Sequence, residues 1–139
     1  MHTVVTLASI VEREARLAEE RPIIAAIFLK RLRQGMPLEA DPTVQYALGS
    51  DPQSVAAYGY WKKDLTQRDL EVDSPYNTYR RTGLPPGPIA NPGLDAITAV
   101  IRPAQTNYLY FVAKEDGSHA FAETLEEHLR NIELYGGRQ

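Results

Sequence analysis

Residues 76–93, Tyr-Asn-Thr-Tyr-Arg-Arg-Thr-Gly-Leu-Pro-Pro-Gly-Pro-Ile-Ala-Asn-Pro-Gly, constrain the fold more than any other stretch of the 139-residue chain. Four prolines and three glycines among these eighteen residues remove backbone donors and restrict or relax φ, so the segment is neither a helix nor a central strand. It must run over the surface as a semi-rigid loop carrying amide and aromatic side chains. Such a loop either holds a ligand at a cleft or only connects two elements, and composition does not choose between them.

Around the loop, apolar residues recur at helical spacing. Residues 4–19 are expected to form a helix whose core-facing stripe is Val4, Ala8, Val11, Ala15 and Ala18. A second helix begins near Glu19 and Glu20, takes Pro22 in its first turn, buries Ile23, Ile24, Ile27, Phe28 and Leu32, and ends at Gly35. Short helical turns are expected at 42–48 and 67–71. After the loop, 94–101 reads as a helix stopped by Pro103, 108–113 as a strand, 115–118 as a turn and 119–122 as the returning strand. Thr124 is placed to cap a last helix that has Glu126 and Glu127 in its first turn and carries Leu125, Leu129 and Ile132. The expected fold is α+β: one mainly helical domain over 1–139, with a small antiparallel hairpin, the Pro/Gly-rich loop lying over a cleft, and 136–139 as a loose tail.

The chain is 43% hydrophobic and 24% charged, enough to build one globular core. Its net charge of −3 gives no overall basic field, so nucleic acid is not an expected partner. No apolar run approaches the roughly 18 residues of a membrane span. Without cysteine there is no disulfide or thiolate site, and three scattered histidines do not make a zinc site, so neither metal nor cofactor is expected.

Two carboxylates on the first helix are candidates for acid–base work. Glu12 falls just outside the apolar stripe, flanked by Val5, Ala8 and Ala15, from where its side chain can enter a cleft. It can equally be a surface residue paired with Arg16 one turn on. Glu14 borders the stripe from the other side, near Leu7 and Ile10, and residue type gives the two equal standing. Asp41 is expected to cap the helical turn that follows it; facing Glu12 instead, it would make a two-carboxylate hydrolase.

These residues belong to a longer ordered pattern. Leu-Ala-Ser-Ile-Val-Glu-Arg-Glu at 7–14, Phe-Leu-Lys-Arg-Leu-Arg-Gln-Gly-Met-Pro-Leu at 28–38, Asp-Pro-Thr-Val-Gln-Tyr at 41–46, the loop, Ala-Gln-Thr-Asn-Tyr-Leu-Tyr-Phe-Val-Ala at 104–113 and Gly-Ser-His-Ala-Phe at 117–121 follow one another. Together they resemble the endolytic murein transglycosylase, YceG-like family, over nearly the whole chain. The resemblance implies a bacterial lyase that cuts peptidoglycan glycan strands internally and terminates nascent strands. The family's catalytic glutamate is the first of its Ile-Val-Glu-x-Glu pair, which falls on Glu12.

In the mechanism so implied, Glu12 protonates the oxygen of the β-1,4 bond between N-acetylmuramic acid and N-acetylglucosamine. As carboxylate it then takes the proton of the muramoyl C6 hydroxyl, which closes a 1,6-anhydro ring. One carboxylate suffices because the substrate supplies its own nucleophile at high effective concentration. The resemblance further implies substrate contacts at Asn77, Tyr79, His119, Asp41 and Gln45, support from Glu14, Thr43 and Tyr76, and a loop shaped by Gly83, Pro85, Pro86 and Gly87; Asn77 and Tyr79 can instead staple the loop, and His119 can instead bond a nearby backbone carbonyl. Tyr58, Tyr60 and Trp61 either stack on sugar rings or cover the core. Expected partners are glycan strands and penicillin-binding proteins or other peptidoglycan synthases. The expected location is the extracytoplasmic face of the cytoplasmic membrane, through an N-terminal anchor that, with a LysM-like region, is not found in this sequence. A hydrolytic muramidase using Glu12 and Asp41, and a non-catalytic glycan-binding module, are the alternatives.

Overall fold

The computed structural model describes residues 1–136. Helix α1, His2–Glu14, runs through the core with Leu7, Ala8, Ile10 and Val11 wholly buried. The buried face is therefore wider than the expected stripe and reaches round to the side of Glu14. The helix is also shorter than its pattern. It stops at Glu14, Ala15 is extended (φ −94°, ψ 120°), and Ala18–Glu20 form a separate 3-10 turn. That break swings Glu20 inward onto His119, 99 residues away, a tertiary contact that outweighs local helix propensity.

Helix α2, Arg21–Gln34, carries Pro22 in its first turn and ends at Gly35 in the left-handed region (φ 72°), as its sequence predicts. Its Ile24, Ala25 and Phe28 pack with α1 and with α5, Leu94–Ile101, which contributes Ala96, Ala99 and Val100. Leu94 and Ile101, at the two ends of α5, are exposed. Helices α3, Asp41–Leu48, and α4, Pro52–Tyr58, lie in the connection to the loop, where Val44, Leu48 and Leu65 form a second, smaller apolar cluster. Helix α4 was not expected, although its signals are present: Pro52 occupies the first turn and the Asp51 side chain accepts the Gln53 N–H at 3.1 Å.

Strands β1, Tyr110–Ala113, and β2, His119–Ala122, pair antiparallel, Tyr110 opposite Ala122 and Ala113 opposite His119. Helix α6, Leu125–Tyr135, follows; Thr124 caps it by accepting the Glu127 N–H at 3.2 Å, and Gly136 ends it at φ 72°. Leu125 and Leu129 point to solvent rather than into the core. Of the tail expected at 136–139, Gly136 is this helix cap and the rest lies outside the described residues. Among the described residues no helix is long and apolar enough to cross a membrane.

The Pro/Gly-rich loop is pinned along its length. Thr78 Oγ1 lies 2.8 Å from Thr43 Oγ1 and accepts the Ala40 N–H at 2.9 Å. Further on, the Ile89 N–H donates to Ser9 Oγ at 3.0 Å and the Gly93 N–H to Glu12 Oε1 at 2.7 Å, while His2 Nε2 contacts Pro86 O at 2.9 Å. The loop thus lies along α1. Gly83 takes positive φ (84°), which explains a glycine there; Gly87 does not.

Candidate active site

The end of α1 opens onto a cavity of about 470 Å³. Its walls are Glu14 from α1, Arg31 from α2, Leu38, Glu39 and Asp41 before and at the start of α3, Leu70 and Tyr79, Phe111 to Ala113 on β1, and His128 and Ile132 on α6. Glu14 arrives there for a geometric reason. On the helical wheel it falls between Leu7 and Ile10, so it projects along the buried face at the point where the helix ends and the core gives way to the cavity.

The other walls are fixed by polar ties. Asp41 Oδ1 accepts the Tyr79 hydroxyl at 2.5 Å, joining α3 to the first turn of the loop. Arg31 is buried; its Nε donates to Leu109 O at 2.9 Å and its Nη1 to Pro37 O at 2.8 Å. Burial pulls the Arg31 pKa below the ordinary arginine value, while Glu39 opposes that shift. Glu39 itself is a non-glycine residue in the left-handed region (φ 50°), held there by its N–H on Thr78 O at 3.2 Å. His128 stacks on Tyr110 with ring centroids 5.0 Å apart, and its buried Nδ1 has no hydrogen-bond partner among the described residues. Burial, and then the charge of Arg31, lower the His128 pKa, so this ring is neutral near pH 7.

Behind Glu14 stands a buried pair. Glu20 Oε2 accepts the backbone N–H of His119 at 3.0 Å, and Glu20 Oε1 lies 2.8 Å from His119 Nδ1. The other ring nitrogen, Nε2, lies 4.0 Å from Glu14 Oε2.

This arrangement redistributes the residues singled out from the sequence. Glu12 does not line the cavity: its carboxylate is bonded to the Gly93 N–H at the start of α5. Asn77, expected against substrate, is fully buried; its Nδ2 donates to Leu70 O and Val72 O at 2.9 and 2.8 Å, and its Oδ1 accepts the Tyr79 N–H. Its amide is spent on backbone, two carbonyls just before the loop and one N–H within it. Gln45 donates to Lys62 O at 2.8 Å and is a structural tie rather than a cavity residue. Asp41 does not cap α3, whose N-cap is Ala40; it occupies the first helical position and turns its carboxylate to Tyr79. His119 is only 7% exposed, which removes it from direct reach of a bulky ligand. Thr43 is a buried hydroxyl holding Thr78, and Tyr76 packs against Tyr46 at 4.8 Å. Of the loop, only Tyr79 reaches the cavity.

Tyr60 and Trp61 join Tyr46 and Tyr76 in one aromatic cluster, with the Arg13 guanidinium 3.9 Å above the Trp61 ring. Tyr58 is covered in the same way by Lys62 at 4.0 Å. Arg31, Glu39 and His128 escaped sequence reasoning. Nothing local marks them, because the cavity is assembled from segments that meet only in the folded chain.

The YceG-like family model matches residues 1–134. The chain belongs to the YceG-like family. It is 45% identical over 135 residues to a Bacillus subtilis (strain 168) protein named endolytic murein transglycosylase, covering 97% of this chain and 35% of that relative. A Streptococcus pneumoniae (strain D39) protein of the same name is 38% identical over 133 residues, covering 95% of this chain and 23% of the relative. The YceG-like fold is matched by a crystal structure of a YceG-like protein from Listeria monocytogenes, with a TM-score of 0.82 and 45% identity over 93% of this chain and 39% of the other. The chain therefore spans about a third or less of the length of the curated relatives it matches.

Proposed function

We propose that this YceG-like chain is the catalytic part of an endolytic peptidoglycan lytic transglycosylase, with Glu14 rather than Glu12 as its acid–base residue. The observation that carries this reading is the place of Glu14: of the two glutamates in Ile-Val-Glu-x-Glu, it is the one that lines the cavity. The substrate class is supported by the relatives named endolytic murein transglycosylase.

In this reading the protonated Glu14 carboxyl gives its proton to the glycosidic oxygen as the C1–O bond of the muramoyl residue breaks. The resulting carboxylate takes the proton of the muramoyl C6 hydroxyl as O6 bonds to C1, so a 1,6-anhydro end forms, Glu14 regains its proton and no water is consumed. Asp41 and Glu39 line the same cavity. Asp41 is engaged by the Tyr79 hydroxyl, which supports a single-carboxylate mechanism over a hydrolase that needs a second one as base. Tyr79, Arg31 and His128 supply polar wall groups for sugar hydroxyl and acetamido functions. Termination of nascent strands, work beside penicillin-binding proteins and placement at the extracytoplasmic face through a membrane anchor belong to the same proposal.

Digestion of purified peptidoglycan followed by mass analysis of the muropeptides tests it. Anhydro ends are expected. Reducing ends one water heavier would make the protein a hydrolase using Glu14 with Asp41, and no new ends would leave a glycan-binding module.

A further inference from the structure

We infer that His119, clamped by Glu20, is a positioning residue that sets the orientation and charge of Glu14; this rests on the reading of Glu14 as the acid–base group. Two neighbouring segments, the last residue of α1 and the 3-10 turn at Ala18–Glu20, meet a third that is remote in sequence, the first residue of β2. A purely structural ion pair would need only Glu20 and His119. The geometry contains more than that.

Both oxygens of Glu20 are committed to His119, one to its backbone N–H and one to Nδ1. That double grip fixes the rotation of the ring and holds Nδ1 as a donor, as an outer carboxylate does for a working histidine. Phe111 and Phe121 flank the ring at centroid distances of 5.4 and 6.2 Å, which limits its movement further. The nitrogen left to exchange a proton is Nε2, and it faces Glu14 Oε2. At 4.0 Å the separation exceeds a hydrogen bond, and a shift of about 1 Å by either side chain closes it. The charged groups facing the ring are the carboxylates of Glu14 and Glu20, while Arg16 lies along the hairpin turn at Gly117.

The grip of Glu20 therefore fixes which nitrogen of the ring Glu14 meets. During turnover, charge appears on Glu14 when its proton leaves for the glycosidic oxygen, and the fixed Nε2 is the group beside that charge. His119 keeps its own proton count over the cycle, because Glu14 recovers its proton from the substrate hydroxyl.

Two measurements on the chain decide the matter. Nitrogen NMR of the His119 ring at a single pH, in the wild type and in Glu14→Gln, should show the Nε2 resonance move while Nδ1 stays a donor. His119→Gln should lower kcat on peptidoglycan strands about 10- to 100-fold with KM kept within about twofold. An unmoved Nε2 resonance, or wild-type kcat in His119→Gln, overturns the inference; should His119→Gln fail to fold, the NMR comparison decides alone. The two levels separate cleanly. An active Glu14→Gln enzyme would sink the assignment of the acid, whereas an inactive Glu14→Gln with an unmoved Nε2 resonance sinks only the positioning role.

Discussion

Glu12 and Gly93 join α1 to α5: the backbone N–H at the N-cap of α5 donates to Glu12 Oε1 at 2.7 Å. A Cβ at residue 93 would lie 3.2 Å from that oxygen, so glycine lets the carboxylate approach. Glu12→Ala should behave as a lost helix cap, costing about 1 kcal/mol in urea unfolding while leaving turnover of the folded enzyme within about twofold. Glu14→Gln should do the reverse, lowering kcat about 10²- to 10⁴-fold with little change in unfolding midpoint. Glycan-cleavage assays and urea titrations on the two variants check this, and an inactive but fully stable Glu12→Ala would return the acid role to Glu12.

Asn77 is a buried hub for Leu70, Val72 and Tyr79. Asn77→Ala leaves two carbonyls and one N–H without their partner, so a loss of about 2–4 kcal/mol is expected, at the upper end of single-substitution effects. Denaturant unfolding measures it. If the substitution instead weakens glycan affinity at unchanged stability, Asn77 is a substrate contact after all.

His128 makes stability depend on pH in a defined sense. Its folded pKa lies below the ordinary histidine value, chiefly through burial and then through Arg31. The unfolded chain therefore takes up this proton first as pH falls. The contribution of the neutral ring is complete above about 6.5 and is lost progressively below it. Wild-type unfolding free energy should accordingly fall more steeply between about pH 6.5 and 5 than that of His128→Gln. Parallel slopes for the two proteins would refute the assignment.

Gly83 and Gly87 separate conformational need from space. At Gly83 the backbone sits at φ 84° with open space where a Cβ would go, so Gly83→Ala should cost about 1–2 kcal/mol from backbone strain alone. At Gly87 φ is not in that region and a Cβ would meet the Tyr76 hydroxyl at an ordinary 3.7 Å. Gly87→Ala should change stability by no more than about 0.5 kcal/mol. Thermal melts of the two variants distinguish them.

Where a structural decision was local, the sequence was sufficient. Helix α5 at 94–101, the hairpin about its Asp116-Gly117 turn and the Thr124 cap are each set by residues within a few positions of one another. The end of α1 was not legible in this way, because Ala15, Arg16, Leu17 and Ala18 are all compatible with a continued helix and the break answers to His119. The choice between Glu12 and Glu14 was half legible. A stripe drawn through Val4 and Ala18 passes over the larger Leu7 and Ile10, whose burial carries Glu14 to the cavity. The motif located the segment, and only packing could say which of its two carboxylates faces inward. Asn77 shows the same limit: its loop was evident, but the two carbonyls that claim its amide lie outside the motif.

Arg31 acts as a strut between two sides of the cavity, holding Pro37 on one and Leu109 on the other with a single planar group. Those sides cannot part without breaking one of these bonds. Helix α6, which supplies the facing side chains of His128 and Ile132, has no fully buried residue to anchor it. The groove thus has one stiff jaw and one compliant jaw, and a polymer threading through it would be accommodated by yielding of α6 while the carboxylate-bearing side stays in register.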